Sequence, residues 1–113
     1  MGIKAKEIFE NALALNVSSY NSETPYKEKC VVDMINEILS QTFIHNNLKR
    51  AIKGKKQMDK MPFIKDIYDK IDFEIEFYAV LSYGLAALIA RDLGDTRLAD
   101  LYKRQFDTLC TMV

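Results

Sequence analysis

The sequence predicts an all-α fold: a four-helix bundle with a long, partly extended connection between helices 2 and 3. Apolar residues recur at three-and-four spacing over helix-length windows, as expected when each helix buries one face. Gly84 lies inside the apolar run Phe73 to Leu93, where a glycine costs roughly 1 kcal/mol relative to alanine, so this run is expected to be a central packing helix closely approached by a second backbone. Gly94-Asp95 then reads as a C′ glycine followed directly by an N-cap, a tight reversal into the last helix.

Helix 1 is expected from Lys4 to Val17, with Ala5, Ile8, Phe9, Ala12, Leu13 and Leu15 on one face. The cluster from Val17 to Ser22 ends it, because short polar side chains compete for helical backbone bonds. Thr24-Pro25 supplies an N-cap and a proline at the first helical position, where the missing N–H does no harm. Helix 2 follows from about Pro25 to about Leu48, its stripe formed by Val31, Met34, Ile35, Ile38, Leu39, Thr42 and Phe43. Asn46-Asn47 and the cations from Lys49 onward suit a helix C-terminus.

Between Ala51 and Asp72 clean helical periodicity is lost. Gly54 permits a turn, and Pro62 pushes the residue before it out of the helical region. Met58, Met61, Phe63, Ile64, Ile67, Tyr68 and Ile71 are too apolar for a solvated linker, so the connection should pack on the helices or on a partner. Asp72 is expected to cap helix 3, with Glu74 and Glu76 in its first turn. The core face of helix 3 is Phe77, Tyr78, Leu81, Leu85, Leu88 and Ile89. Gly84, Ala87 and Arg91 share helical spacing, flanked by Ala86 and Ala90, and mark the close-packed side. Helix 4 turns Leu98, Leu101, Tyr102, Phe106, Leu109 and Val113 inward.

A chain of 113 residues suits one domain spanning 1–113, with 49% apolar and 28% charged residues, close to ordinary globular usage. Its 16 basic and 16 acidic side chains balance, leaving no global field to draw it onto nucleic acid or an anionic membrane. Met1 to Lys6 is not followed by the apolar stretch of a secretory signal, and Lys6 stands where myristoylation needs Ser or Thr. Phe77 to Ala90 is too short to span a bilayer. Synthesis in the cytosol is the expectation.

Candidate chemistry is sparse. His45 is the lone histidine and has no Glu-x-x-His partner, since Thr42 stands three residues before it. Cys30 and Cys110 lack Cys-x-x-Cys spacing and are expected to be buried, inert thiols. Glu74, Glu76, Asp92, Asp95 and Asp100 sit where caps, dipoles or exposed faces account for them. No catalytic residue, cofactor site or metal site is assigned. The segment Lys49-Arg50-Ala51-Ile52-Lys53-Gly54-Lys55-Lys56 is the one charge asymmetry, open to nucleic acid, to an acidic partner or to solvent. Tyr and Met residues such as Tyr68, Tyr78, Tyr83, Met58 and Met61 suit an adaptable protein interface, or a core.

Several segments together bring a family into view: Glu7-Ile8-Phe9-Glu10-Asn11-Ala12-Leu13-Ala14-Leu15 in helix 1, Ile35-Asn36-Glu37-Ile38-Leu39 in helix 2, Leu81-Ser82-Tyr83-Gly84-Leu85-Ala86-Ala87 in helix 3, and the turn Asp92-Leu93-Gly94-Asp95. With the extended connection from Lys53-Gly54 to Asp72, the chain resembles the small helical head-tail connector (adaptor) proteins of tailed phages and of prophages in Gram-positive bacteria. The resemblance implies a non-enzymatic subunit of the virion neck, made in the bacterial cytoplasm. Such a subunit docks on the portal after DNA packaging and extends the channel toward the tail. Its implied partners are copies of itself in a closed ring, the portal and the neck or tail proteins, with non-specific contact to packaged DNA and no membrane. A closed ring joins two different faces of each subunit, and subunits can stay monomeric until the portal templates them. The connection is the expected contact, with Phe63, Ile64 and Tyr68 as apolar anchors and Lys53, Lys55 and Lys56 as charged partners, while Gly84 and Ala87 serve helix packing. Two other readings are a small helical DNA-binding regulatory module and a host protein-interaction domain.

Overall fold

In the computed structural model, residues 2–17 and 28–113 are described, apart from the side chain of Glu28. The order is β1 (Ile3–Lys4), α1 (Ala5–Leu15), α2 (Glu28–Ile52), β2 (Lys70–Ile71), a 3-10 turn (Ile75–Phe77), α3 (Tyr78–Asp92) and α4 (Thr96–Met112). The fold is all-α, with four helices and very little strand. Helix α1 ends at Leu15 with Asn16 as its C-cap, short of the expected Val17, while the cluster from Ser18 onward and the Thr24-Pro25 start of helix 2 lie outside the described residues.

Helix α3 occupies the centre and packs against α1, α2 and α4. It can do so because apolar or small residues cover most of its circumference: Val80, Leu81, Leu85, Ala86, Ala87, Ile89 and Ala90 are buried. Ser82 is buried among them with its hydroxyl donating to the Tyr78 carbonyl at 2.9 Å, so it adds no unpaired polar group. The close approach at Gly84 differs from expectation. A Cβ there would lie 2.9 Å from Cδ1 and Cε1 of Phe106 and 3.0 Å from Cγ2 of Ile38, so side chains of α4 and α2, rather than a second backbone, occupy the space. Beside it, Ala87 is buried.

The reversal between α3 and α4 follows the sequence reading. Gly94 has φ 83°, a conformation L side chains rarely adopt, and Asp95 N–H closes the turn on the Ala90 carbonyl at 2.9 Å. The Asp95 carboxylate then accepts from the Leu98 N–H at 3.1 Å. On α4, Tyr102 and Phe106 are buried and Tyr102 donates its hydroxyl to the Leu15 carbonyl of α1. Leu101 does not face inward as expected. It is exposed, one step around the helix from Tyr102.

The two-residue ladder was not foreseen. Ile3 pairs antiparallel with Ile71 and Lys4 with Lys70, and Ala5 N–H donates to the Asp69 carbonyl at 3.1 Å. It ties the start of α1 to the end of the connection, with Ile3 and Ile71 buried beneath.

Candidate interaction surface

Three asparagines of α2 fasten the connection to that helix. Asn36 is buried and exchanges two hydrogen bonds with the Ile64 main chain, its Nδ2 donating to the carbonyl and its Oδ1 accepting from the N–H, both at 2.9 Å. Asn47 makes the same exchange with Met58, at 3.2 and 2.8 Å. Asn46, fully buried, accepts from the Glu74 N–H at 2.9 Å. From Met58 to Ile64 the connection thus runs antiparallel to α2, with side-chain amides in place of a partner strand, and the chain has returned to Asn46 by Glu74. Asn46-Asn47 therefore does not end the helix. Helix α2 continues to Ile52, and Gly54, with φ 75°, follows it.

The same amide contact overturns the expected Asp72 cap. With its N–H held by Asn46, Glu74 is extended at φ −62° and ψ 143°, and the chain enters α3 through the 3-10 turn with no side-chain cap. Glu74 is accordingly not a first-turn dipole partner. It is buried, and its carboxylate accepts from Lys55 Nζ at 2.8 Å, Lys53 Nζ at 3.1 Å and Arg50 Nη1 at 3.3 Å. Arg50 also donates through Nε to the Lys56 carbonyl at 2.7 Å, closing the turn after α2. Glu76 takes a second Lys53 contact at 2.7 Å and faces Lys49 at 3.8 Å.

The charges tune one another. The hydrogen bond from Lys55, helped by Lys53, holds the Glu74 carboxyl below its ordinary range in spite of the opposing effect of burial. Glu76 is lowered chiefly by Lys53, and Lys53 is raised by Glu76 first and Glu74 second. Most of the basic segment thus has its acidic partner within the same chain. Lys56 is the outlier, with its side chain 85% exposed and only a 3.7 Å contact to Asp59.

The expected contact residues do not form one surface, and Lys56 stands apart as the exposed cation just described. Lys53 and Lys55 belong to the ion cluster around Glu74. Ile64 is a correction: it is buried, because Asn36 draws its main chain against α2 and turns the side chain into the core, so it offers no exposed anchor. Phe63 and Tyr68 are each 67% exposed. Phe63 stands beside a hollow of about 430 Å³ floored by Val32, Ile64 and Ile67 and rimmed by Lys29, Asp33, Lys65 and Asp66. Tyr68 lies elsewhere, beneath the Lys6 ammonium at 5.2 Å from its ring centroid.

The sequence reading missed the outer face of α2. Exposed residues follow one line along it, from Asp33 and Glu37 through Gln41 to Ile44, Leu48 and Ile52. The line changes from charged to apolar at Ile44, and the three aliphatics are 70%, 57% and 77% exposed. Their i, i+4, i+8 spacing opposite the Ile35 and Leu39 side was available in the sequence as a second apolar stripe.

The thiols also differ from expectation: Cys30 is exposed and Cys110 half-buried, and both are free. Burial and the nearby Asp107 push the Cys110 thiol up, with burial the larger cause. His45 is half-buried on α2. Among the described residues, no helix is long and apolar enough to cross a membrane. No protein-family model, curated protein or solved structure matches the chain.

Proposed function

We propose that this chain is a structural, non-enzymatic subunit of a head-tail connector ring in a tailed phage or prophage, docking on the portal and extending the DNA channel toward the tail. The resemblance of its helical segments to that family supports the reading. So does one observation on the molecule itself: the Ile44, Leu48 and Ile52 ridge is an apolar helix face with no cover from the described part of its own chain. Surfaces of this kind are explained by assembly. The DNA-binding alternative draws less support, since Lys49, Arg50, Lys53 and Lys55 are turned toward Glu74 and Glu76 rather than displayed for phosphates.

The test is to mix the purified chain with the portal protein encoded in the same gene cluster and image the product by negative stain. Closed rings seated on the portal are the expected result. A chain that stays free of the portal, or whose gene lies outside any cluster of capsid, portal and tail genes, would overturn the proposal.

A further inference from the structure

Met58 is where the stretch between α2 and Ile64 meets the body of the protein. Of Met58, Met61 and Phe63, the large apolar side chains of that stretch, only Met58 packs against the core. Asn47 holds both polar groups of its main chain, and its thioether sulfur accepts a hydrogen bond from Asn46 Nδ2 at 3.4 Å. The sense of the Asn46 amide is fixed, because its Oδ1 is taken by the Glu74 N–H and its Nδ2 is left to face the sulfur. Asn46 is fully buried, so a single amide joins the start of the connection to the entry of α3, with Met58 Sδ as the acceptor that completes it. A thioether is soft and accepts weakly, and two-electron oxidation turns it into a polar sulfoxide. Met58 is half-buried, so part of the side chain stays in contact with solvent and with any small oxidant dissolved there.

The geometry points to Met58 as an oxidation site whose sulfoxide unfastens the connection from α2. The oxidant is a hydroperoxide. A sulfur lone pair attacks one peroxide oxygen, an S–O bond forms as the O–O bond breaks, and the displaced oxygen leaves with the proton as an alcohol, or as water from hydrogen peroxide. Sulfur loses two electrons and the peroxide gains them, and methionine sulfoxide reductases reverse the change. The new oxygen has no place in the reduced arrangement. A hydrogen bond from Nδ2 to that oxygen takes about 2.9 Å by itself. With the S–O bond added, the span exceeds the 3.4 Å now between nitrogen and sulfur, and the sulfur is driven away from Asn46. Turned toward the core, the oxygen would be a buried acceptor without a donor. Turned toward water, it draws the side chain outward. Each course takes Met58 from its seat and weakens the Asn47 exchange and the Asn46 hold on Glu74. Met61 and Met112 are more exposed but pack on no part of the core, so their oxidation leaves these contacts alone. The inference does not depend on the portal reading.

Hydrogen exchange followed by NMR tests it on the full chain in a Cys30→Ser/Cys110→Ser background, before and after treatment with hydrogen peroxide. Peptide mass spectrometry locates the oxidised methionines. Oxidation of Met58 should speed exchange of the Met58 and Glu74 amides, whose acceptors are the Asn47 and Asn46 oxygens. The expected change is about tenfold, as when the hydrogen bonds of a locally opening segment are weakened. Amides in the middle of α3 and the helical circular dichroism should not change. Met58→Leu keeps an apolar side chain in the seat and cannot be oxidised there, so the same treatment should leave its Glu74 amide slow.

A Met58 that stays reduced while Met61 and Met112 are oxidised overturns the inference, as does a sulfoxide at Met58 with both amides as slow as before. Acceleration that spreads equally through α3, or that persists in Met58→Leu, also overturns it, because the effect would then be general damage.

Discussion

Helices α2 and α3 both carry apolar residues beyond one narrow stripe, yet they end in opposite situations. Helix α3 is enclosed by α1, α2 and α4, and even Gly84 is filled against Phe106 and Ile38. Helix α2 has three distinct sides: a core side at Ile35 and Leu39, a flank where asparagines hold the connection, and an outer face that turns apolar at Ile44. The difference teaches that apolar residues at helical spacing announce a face to be covered without saying whether the cover comes from the same chain. Substitutions on the several sides of the two helices should accordingly have graded effects.

The largest is expected on the flank. Asn36→Ala removes both hydrogen bonds to Ile64 and strands its buried N–H and carbonyl, so urea unfolding should register a loss of about 2–4 kcal/mol. If stability is unchanged, the connection is held by apolar contacts alone and the distinct flank of α2 disappears from the comparison.

Next comes the enclosed helix. Gly84→Ala adds helix propensity worth roughly 1 kcal/mol, but its Cβ would press on the Phe106 ring, and overpacking costs about 1–3 kcal/mol. A net loss of about 1 kcal/mol is expected, because a 2.9 Å approach to two ring atoms of the buried Phe106 is relieved only by shifting the whole ring. Thermal denaturation of the variant decides the sign, and a gain in Tm would mean that α3 is packed more loosely than its burial implies.

At the basic end of α2, Glu74→Gln should cost about 1–2 kcal/mol near neutral pH, where the carboxylate accepts charge-assisted hydrogen bonds. The folded-state value of Glu74 is lowered from the ordinary 4.5, so its stabilisation is present above that pH and lost as the pH falls through the folded value. Denaturation curves of wild type and Glu74→Gln should therefore converge in acid, separate as the pH rises from the folded value toward 4.5, and stay a constant distance apart above it. Parallel curves would remove Glu74 as the origin of the effect.

The smallest effect belongs to the outer face. Leu48→Asp should shift the stability of the isolated chain by less than about 0.5 kcal/mol, since an exposed position loses little burial on substitution. A large loss of Tm would show that the ridge supports the fold and is not an open surface.

Local signals made the helices legible in the sequence. The α1 stripe, the Gly94-Asp95 reversal and the core residues of α3 depend on spacing and capping within a few residues, and the structure has them where expected. The Asp72 cap failed for a different reason. Asn46 reaches across 28 positions to bind the Glu74 N–H and keeps that segment extended. The fastening of Ile64 by Asn36 and the Ile3–Ile71 ladder are equally long-range, and no local pattern encodes them. The basic segment was legible as charge but not as an ion cluster, because its carboxylates lie at least 19 residues further along the chain. Asparagines inside an otherwise helical run were the available hint, since their poor helix propensity needs a tertiary offset.

The central claim is that the open α2 ridge is needed for assembly on the portal. Sedimentation velocity of wild type and Leu48→Asp, each mixed with the portal protein, measures it most directly. The account predicts a ring-sized complex for wild type, and for Leu48→Asp a sedimentation coefficient and Tm like those of the free wild-type chain. A Leu48→Asp chain that assembles as fully as wild type would contradict it.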